Sequence, residues 1–260
     1  MGLLDGFHVD LAGADGKTIA TERLATLESL LHESFGEISL DSATRLRSKK
    51  NVVLRLVVRS PLPEAYENLV TKMFISDRYQ NELERLQVSL REGLNVPEII
   101  AARDGVILMT YIPGDLFVTR INHTFDSYLV DQLALWYYQY HAIHEMIKGD
   151  PRLRNFICTN EGIVGLDFEE SRKGHWMSDI GGVAASLLDT DPIDDIRKRK
   201  LAWRFLTSYL SCRSESRCEE TDSLFVDTIA KALKQTNHWR KDERIFALSE
   251  QIRAEGIPID

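Results

Sequence analysis

Apolar residues recur along this chain with two different periods, and the switches between them divide it into elements. From Thr21 to Phe35, Leu24, Leu27, Leu30 and Leu31 fall at helical spacing, which predicts an amphipathic helix packed on its neighbours. Ile38 to Arg47 and Asn51 to Arg59 read as a first hairpin, turning through Ser48-Lys49-Lys50 without a glycine. Leu69 to Ile75 alternates like a half-buried strand. A helical stretch follows from Asp77, a suitable N-cap, through Tyr79, Leu83, Leu86 and Leu90, and closes at Gly93. Glu98 to Ala102 and Val106 to Tyr111 are joined by Arg103-Asp104-Gly105, a hairpin with an Asp-Gly turn signal. Pro113 and Gly114 then stop the strand.

Beyond that point the period becomes helical. Residues 124 to 147 carry Leu129, Leu133, Trp136, Tyr137 and Tyr140 as a buried stripe. Residues 179 to 189, 193 to 212 and 222 to 236 read as further helices, separated by Pro192 and the polar run Arg213 to Glu220. One short hairpin interrupts them: Phe156 to Thr159 and Gly162 to Leu166 flank Asn160-Glu161, a polar pair suited to its turn. Strands early and helices late predict an α+β fold.

The chemistry concentrates around that hairpin, in Lys148-Gly149-Asp150, Asn155, Asp167-Phe168-Glu169-Glu170 and Asp179. The hairpin brings its two ends together, so Asn155 just before it and Asp167 just after it are expected side by side. A shared hard cation needs such a pair of oxygens. Moving a γ-phosphoryl group requires a carboxylate to orient the acceptor hydroxyl and oxygen ligands for Mg²⁺ on the triphosphate, and Asp150, Asn155 and Asp167 offer all three.

Lys-Gly-Asp-Pro-Arg-Leu-Arg-Asn and Leu-Asp-Phe-Glu-Glu resemble the catalytic segment of the kinase-like phosphotransferases of the aminoglycoside phosphotransferase and choline kinase type, His-Gly-Asp, four residues, Asn, then a hydrophobic-Asp-aromatic strand end. The resemblance covers about residues 38 to 190 and implies a two-lobed protein-kinase-like fold with a small antiparallel-sheet N-lobe and a mainly helical C-lobe. It implies Asp150 as the group that positions or deprotonates the acceptor hydroxyl, and Asn155 and Asp167 as metal ligands. Lys148 departs from the family His, a mainly structural hydrogen-bonding residue. Asp179 resembles the family Asp that braces the catalytic loop from a helix start. Only eleven residues separate Asp167 from Asp179, too few for a regulated activation segment, and Glu169 after Asp-Phe is similar to the small-molecule branch.

The same resemblance implies a strand Lys paired to a helix Glu ahead of the catalytic segment. Lys72 is the strand candidate; Glu82 and Glu84 both lie on the following helix, and Glu82 has the better spacing to Val96-Pro97. Backbone groups near Thr110 and Ile112 are expected at the adenine edge. Ser48, Lys49 and Lys50 either replace a glycine phosphate cradle or simply solvate a hairpin tip. The expected organisation is an N-terminal extension over 1–36, an N-lobe over 37–112 and a C-lobe over 113–260.

Composition adds outer bounds. The 260 residues suit two lobes or one large α/β unit. A formal charge of −8 argues against nucleic-acid binding as the main task. No apolar run approaches a membrane span, the start lacks the basic segment of a secretory signal, and three cysteines without a Cys-x-x-Cys pair suit a reducing compartment, so free thiols and a cytoplasmic location are expected.

Several residues carry rival readings. His141 and His144 have ligand-compatible spacing but no third ligand in place. His175 and Trp176 either line an acceptor pocket or pack. Glu169 and Glu170 either contact a cationic substrate or metal, or are solvated. Asp189, Asp191, Asp194 and Asp195 read as helix-end acids. Arg152 and Arg154 lie in the catalytic loop, where Arg154 is the candidate cation for charge developing on the phosphoryl group, with pairing to Glu169 or Glu170 as the alternative. The expectation is an ATP- and Mg²⁺-dependent kinase acting on the alcohol group of a small molecule. A serine or threonine on a protein, as in small atypical kinases, and a nucleotide-binding pseudokinase scaffold are the alternatives.

Overall fold

The computed structural model describes residues 11–12, 16–61 and 64–259, with the side chains of residues 60, 61 and 64–66 outside that description. Helix α1 spans Thr21–Phe35, the bounds that the leucine spacing predicts, and buries Leu27, Leu30 and Leu31. Strands β1 (Ser39–Leu46), β2 (Val52–Pro61), β3 (Glu64–Met73), β4 (Ile99–Arg103) and β5 (Val106–Thr110) form one antiparallel sheet in the order β1-β2-β3-β5-β4. Strand β2 shows why the period of two matters. Val52, Leu54, Leu56 and Val58 point inward and are buried, joining Leu69, Met73, Val106, Leu108 and the α1 leucines in one core.

Helix α2 (Tyr79–Arg91) follows β3, starting two residues after the expected cap. The chain divides into two compact units, the first comprising residues 1–87 and 97–112 and the second residues 88–96 and 113–260. The division falls at Ile112/Pro113, and the tail of α2 belongs to the second unit.

In the second unit, β6 (Asp115–Leu116) joins β7 (Phe156–Thr159) and β8 (Gly162–Gly165) in a small antiparallel sheet. Helices α3 (Phe117–Thr124), α4 (Ser127–His144), α5 (Met177–Leu188), α6 (Ile196–Cys212), α7 (Glu219–Arg240) and α8 (Glu243–Glu255) make up the rest, with a 3-10 turn at Leu153–Asn155. All five residues of the expected α4 stripe are buried, and Trp136 and Tyr140 stack at 5.5 Å. Gly165 lets the Trp136 indole lie against the backbone of β8, since a Cβ there would collide with the ring.

Several features differ from expectation. The helix expected over 124–147 is α4 alone, Ser127–His144, and a separate helix, α3, precedes it: Phe125 ends α3 in a left-handed conformation (φ 50°), and Asp126 caps α4 by accepting from the Tyr128 amide at 2.9 Å. Helix α7 runs on to Arg240, and α8 follows with Asp242 as its cap at 3.0 Å from the Arg244 amide. Among the acids around Pro192, Asp195 caps α6, but Asp189 lies at the C-terminal end of α5, where the helix dipole disfavours a carboxylate. Among the described residues no helix is long and apolar enough to cross a membrane, and Cys158, Cys212 and Cys218 are free thiols.

Candidate functional site

The second unit gathers the polar residues that the sequence singles out between 148 and 179. The Asp179 carboxylate, 1% exposed at the start of α5, accepts from the Lys148 amide at 2.6 Å and the Gly149 amide at 3.0 Å. It thereby fixes the backbone leading into Asp150. Gly149 has φ 82°, a left-handed turn, and a Cβ there would strike the Glu170 carbonyl and the Arg172 guanidinium. His141, expected to be at most a weak ligand candidate, serves instead to orient this carboxylate. Its Nε2 lies 3.1 Å from Asp179, and its Nδ1 lies 2.8 Å from the Tyr209 hydroxyl, so Tyr209 fixes the ring. Burial pushes the Tyr209 phenol up to about 12, keeping it a neutral hydroxyl. His144 faces elsewhere, 2.8 Å from the Ser89 hydroxyl.

Lys148 is fully buried, and its ammonium ties two segments together. Nζ donates to the Asp150 carbonyl at 3.1 Å and to the Asp167 carbonyl at 2.9 Å, with the Phe156 and Phe168 rings 5.5 and 5.4 Å away. The sequence exposes the departure from His; it does not expose the two carbonyls, which come together only in the folded loop. Asn155 makes a third tie, its side-chain amide donating to the Asp150 carbonyl at 3.2 Å. The Asn155 carbonyl accepts from the Leu166 amide at 2.8 Å, which joins the two ends of the β7–β8 hairpin. Asp167 follows immediately with φ 61°, a conformation that a non-glycine residue adopts at a cost. Phe168, fully buried and stacked on Tyr140 at 5.8 Å, anchors it.

Arg152 approaches the carboxylate of Asp150, Nε to Oδ1 at 3.3 Å. Arg154, the candidate loop cation, lies in the 3-10 turn Leu153–Asn155 and is half-buried. Trp176 packs at 5.0 Å on Tyr209 with the Arg213 guanidinium 5.0 Å from its ring, whereas His175 is exposed beside it.

In the first unit Lys72 sits on β3 opposite Val53 and Ile107 and is 6% exposed. Its ammonium meets Glu82 of α2 at 2.5 Å, and Glu82 is 2% exposed. Glu84 turns outward to Arg85. At the end of β5 the Thr110 amide is taken by the Glu98 carbonyl and the Tyr111 amide by the Asn68 carbonyl, both at 3.0 Å. The adenine-edge expectation therefore narrows to the Thr110 carbonyl and the Ile112 amide. The β1–β2 turn is closed by Asn51, whose amide reaches the Ser48 hydroxyl at 3.3 Å and whose side-chain oxygen accepts from Ile75 at 3.2 Å. Lys49 and Lys50 are exposed at its tip.

The donor set at Asn155 and Asp167 suits a hard divalent cation. Both offer oxygens, and the bond from the Asn155 amide orients its carbonyl oxygen as the remaining ligand atom.

No family model matches the sequence, and no curated protein matches it. Solved structures do. Amicoumacin kinase hAmiN in complex with AMP-PNP, Ca²⁺ and Ami is similar with a TM-score of 0.60 at 12% identity, covering 91% of this chain and 93% of that one. A choline/ethanolamine kinase family protein from Mesorhizobium loti gives 0.55 at 12% identity over 89% and 93%. The gentamicin complex of APH(2")-IIa gives 0.57 at 11% identity over 92% and 97%. At such identities the likeness is one of fold, and the chain has the protein-kinase-like fold of these phosphotransferases.

Proposed function

We propose that this chain is an ATP- and Mg²⁺-dependent phosphotransferase that moves the γ-phosphoryl group to an alcohol on a small molecule. The observation that carries the reading is the bracing of the Lys148–Asp150 backbone by three side chains: Asp179 accepts from the Lys148 and Gly149 amides, and Lys148 and Asn155 donate to the Asp150 carbonyl. Such bracing is what a carboxylate needs if its task is to hold an acceptor hydroxyl in line. Asp150 accepts the hydroxyl proton as the acceptor oxygen bonds to phosphorus and the bond to the ADP oxygen breaks. Asn155 and Asp167 would hold Mg²⁺, and the cation would neutralise part of the triphosphate charge. Lys72, positioned by Glu82, takes the α/β-phosphates, while the Thr110 carbonyl and Ile112 amide take the adenine edge. Arg154 would offset charge developing on the transferred phosphoryl group, and Arg152 shields the Asp150 charge directly.

The acceptors named for the similar structures, choline/ethanolamine and gentamicin among them, support a small molecule over a protein. The glycine-free turn with Lys49 and Lys50 favours one second reading, a nucleotide-binding pseudokinase scaffold. Nucleotide binding with and without Mg²⁺ tests the assignment. ATP affinity is expected to rise with Mg²⁺ in the wild type, and Asp167→Ala should cut that gain by about 10-fold or more. Binding that ignores Mg²⁺ in both proteins would contradict the metal assignment.

A further inference from the structure

Asp179 holds the loop backbone with two oxygens that do different work. Oδ1 accepts from the Gly149 amide, while Oδ2 accepts from the Lys148 amide and also meets His141 Nε2 at 3.1 Å. An ionised carboxylate only accepts, so the His141 bond exists only while Nε2 carries a proton. In the other neutral tautomer a nitrogen lone pair would face Oδ2, and the repulsion would push that oxygen off the Lys148 amide. The place of one proton on His141 therefore bears on the backbone that presents Asp150.

The surroundings of the ring set that proton. Nδ1 lies 2.8 Å from the Tyr209 hydroxyl of α6, a group able to donate or to accept. Burial keeps the Tyr209 phenol protonated, while the Arg213 guanidinium, one residue past α6, approaches the same oxygen and pulls the other way. A hydroxyl beside a guanidinium turns its oxygen to the cation and its hydrogen away, here toward Nδ1. Tyr209 then donates, Nδ1 accepts and Nε2 keeps the proton, so donation runs one way from Tyr209 through His141 to Asp179. Packing holds the arrangement. The Tyr137 and Tyr140 rings flank the imidazole at 5.7 and 6.0 Å, so a flip of the ring would have to displace them. Tyr209 is fully buried, and Trp176, whose carbonyl accepts from the Asp179 amide at 3.1 Å, stacks on its ring.

We propose that Tyr209 and His141 are positioning residues for the transfer: Tyr209 fixes the Nε2–H tautomer of His141, and that tautomer keeps the Asp179 carboxylate in place on the Lys148 and Gly149 amides. Both act through Asp179 and not on a substrate. The inference rests on the phosphotransferase reading for its consequence on rate, whereas the tautomer and the brace are properties of the fold.

The test combines a spectrum with a rate in the full chain. Nitrogen NMR shifts of the His141 ring report which nitrogen is protonated, and hydrogen exchange of the Lys148 and Gly149 amides reports the brace. The rate is single-turnover ADP release from ATP and Mg²⁺, with water, glycerol or ethanolamine as acceptor, measured beside ATP affinity. The wild type should show the Nε2–H tautomer with both amides protected. Tyr209→Phe keeps the ring for Trp176 to stack on; it should mix the tautomers and speed exchange of the two amides by about 5-fold, the loss of one hydrogen bond. It should slow release by about 10-fold with ATP affinity unchanged. His141→Gln places an amide N–H near the position of Nε2 and should keep most of the rate, whereas His141→Asn, whose amide reaches only as far as Nδ1, should not. In the His141→Gln background there is no tautomer to set, so Tyr209→Phe should add little further loss. The inference is overturned if the wild-type ring carries its proton on Nδ1, if Tyr209→Phe leaves tautomer and amide exchange as they were, if His141→Gln and His141→Asn behave alike, or if the two substitutions add in full. A tautomer and brace that respond as expected, in a wild type that binds no ATP or releases no ADP, would refute the phosphotransferase reading alone. Release that Tyr209→Phe leaves undiminished would refute the positioning role alone.

Discussion

Lys148 shows how one side chain takes a new role without loss of the site around it. Its ammonium bonds two carbonyls that belong to the segments carrying Asp150 and Asp167. Lys148→Met should lower kcat by about 100-fold with a much smaller change in nucleotide affinity, since positioning acts on the reacting geometry. Lys148→His should recover part of that loss, and equal activity of Met and wild-type proteins would remove the role. Tyr137 makes the opposite case. Its hydroxyl is fully buried and has no hydrogen-bond partner in the structure. Tyr137→Phe should therefore be neutral or stabilising by about 1 kcal/mol in a denaturant titration, and a clear destabilisation would reveal an unrecognised partner. At this scale the sequence told most about residue types. The place of Asp179 at a helix start, bracing the loop backbone, was legible from order and spacing, whereas the parts of His141 and Tyr209 were not, because the His141–Asp179 and Tyr209–His141 bonds span 38 and 68 residues of chain.

Elements were legible where a local signal was strong. The α1 leucines, the Asp-Gly turn before β5 and the polar turn between β7 and β8 each specify their own geometry. Helix α3 lacked such a signal: it has no side-chain cap, and Phe117 and Ile121, both fully buried, hold it by packing. Helix α8 carries one, in Asp242 at its start and Gly256 at its end. Two predictions belong here. The pair joining β3 to α2 is buried on both sides, so Glu82→Ala should strand the Lys72 charge and destabilise by about 3–5 kcal/mol, with Glu84→Ala near neutral. Equal effects in thermal unfolding would contradict the pairing. At the end of α5, burial pushes the Asp189 carboxyl up to about 6, against an ordinary value of 3.8, with Arg240 only partly offsetting it. The folded state then binds more protons than the unfolded one between these values, so this group subtracts stability as pH rises from about 4 to 6. Asp189→Asn should flatten that slope and be the more stable protein at pH 7, by ~2–3 kcal/mol at most. Parallel pH profiles of the two proteins would refute the shift.

At the scale of the molecule, the chain is an antiparallel sheet with its own core, followed by a helical unit that carries the braced carboxylate. Pro113-Gly114 and the change of hydrophobic period stand where the units part at Ile112/Pro113, whereas nothing in the local sequence marks residues 88–96 as part of the second unit. The central claim is that Asp150 performs chemistry and Asp167 holds the metal for it. Single-turnover ADP release from ATP and Mg²⁺, with a panel of small-molecule alcohols as acceptors, tests it most directly in wild type, Asp150→Ala and Asp167→Ala. The account predicts release by the wild type and a loss of about 100-fold or more in each variant, with nucleotide still bound by Asp150→Ala. Release that persists undiminished in Asp150→Ala, or nucleotide bound tightly by the wild type with no turnover under any of these conditions, would contradict it.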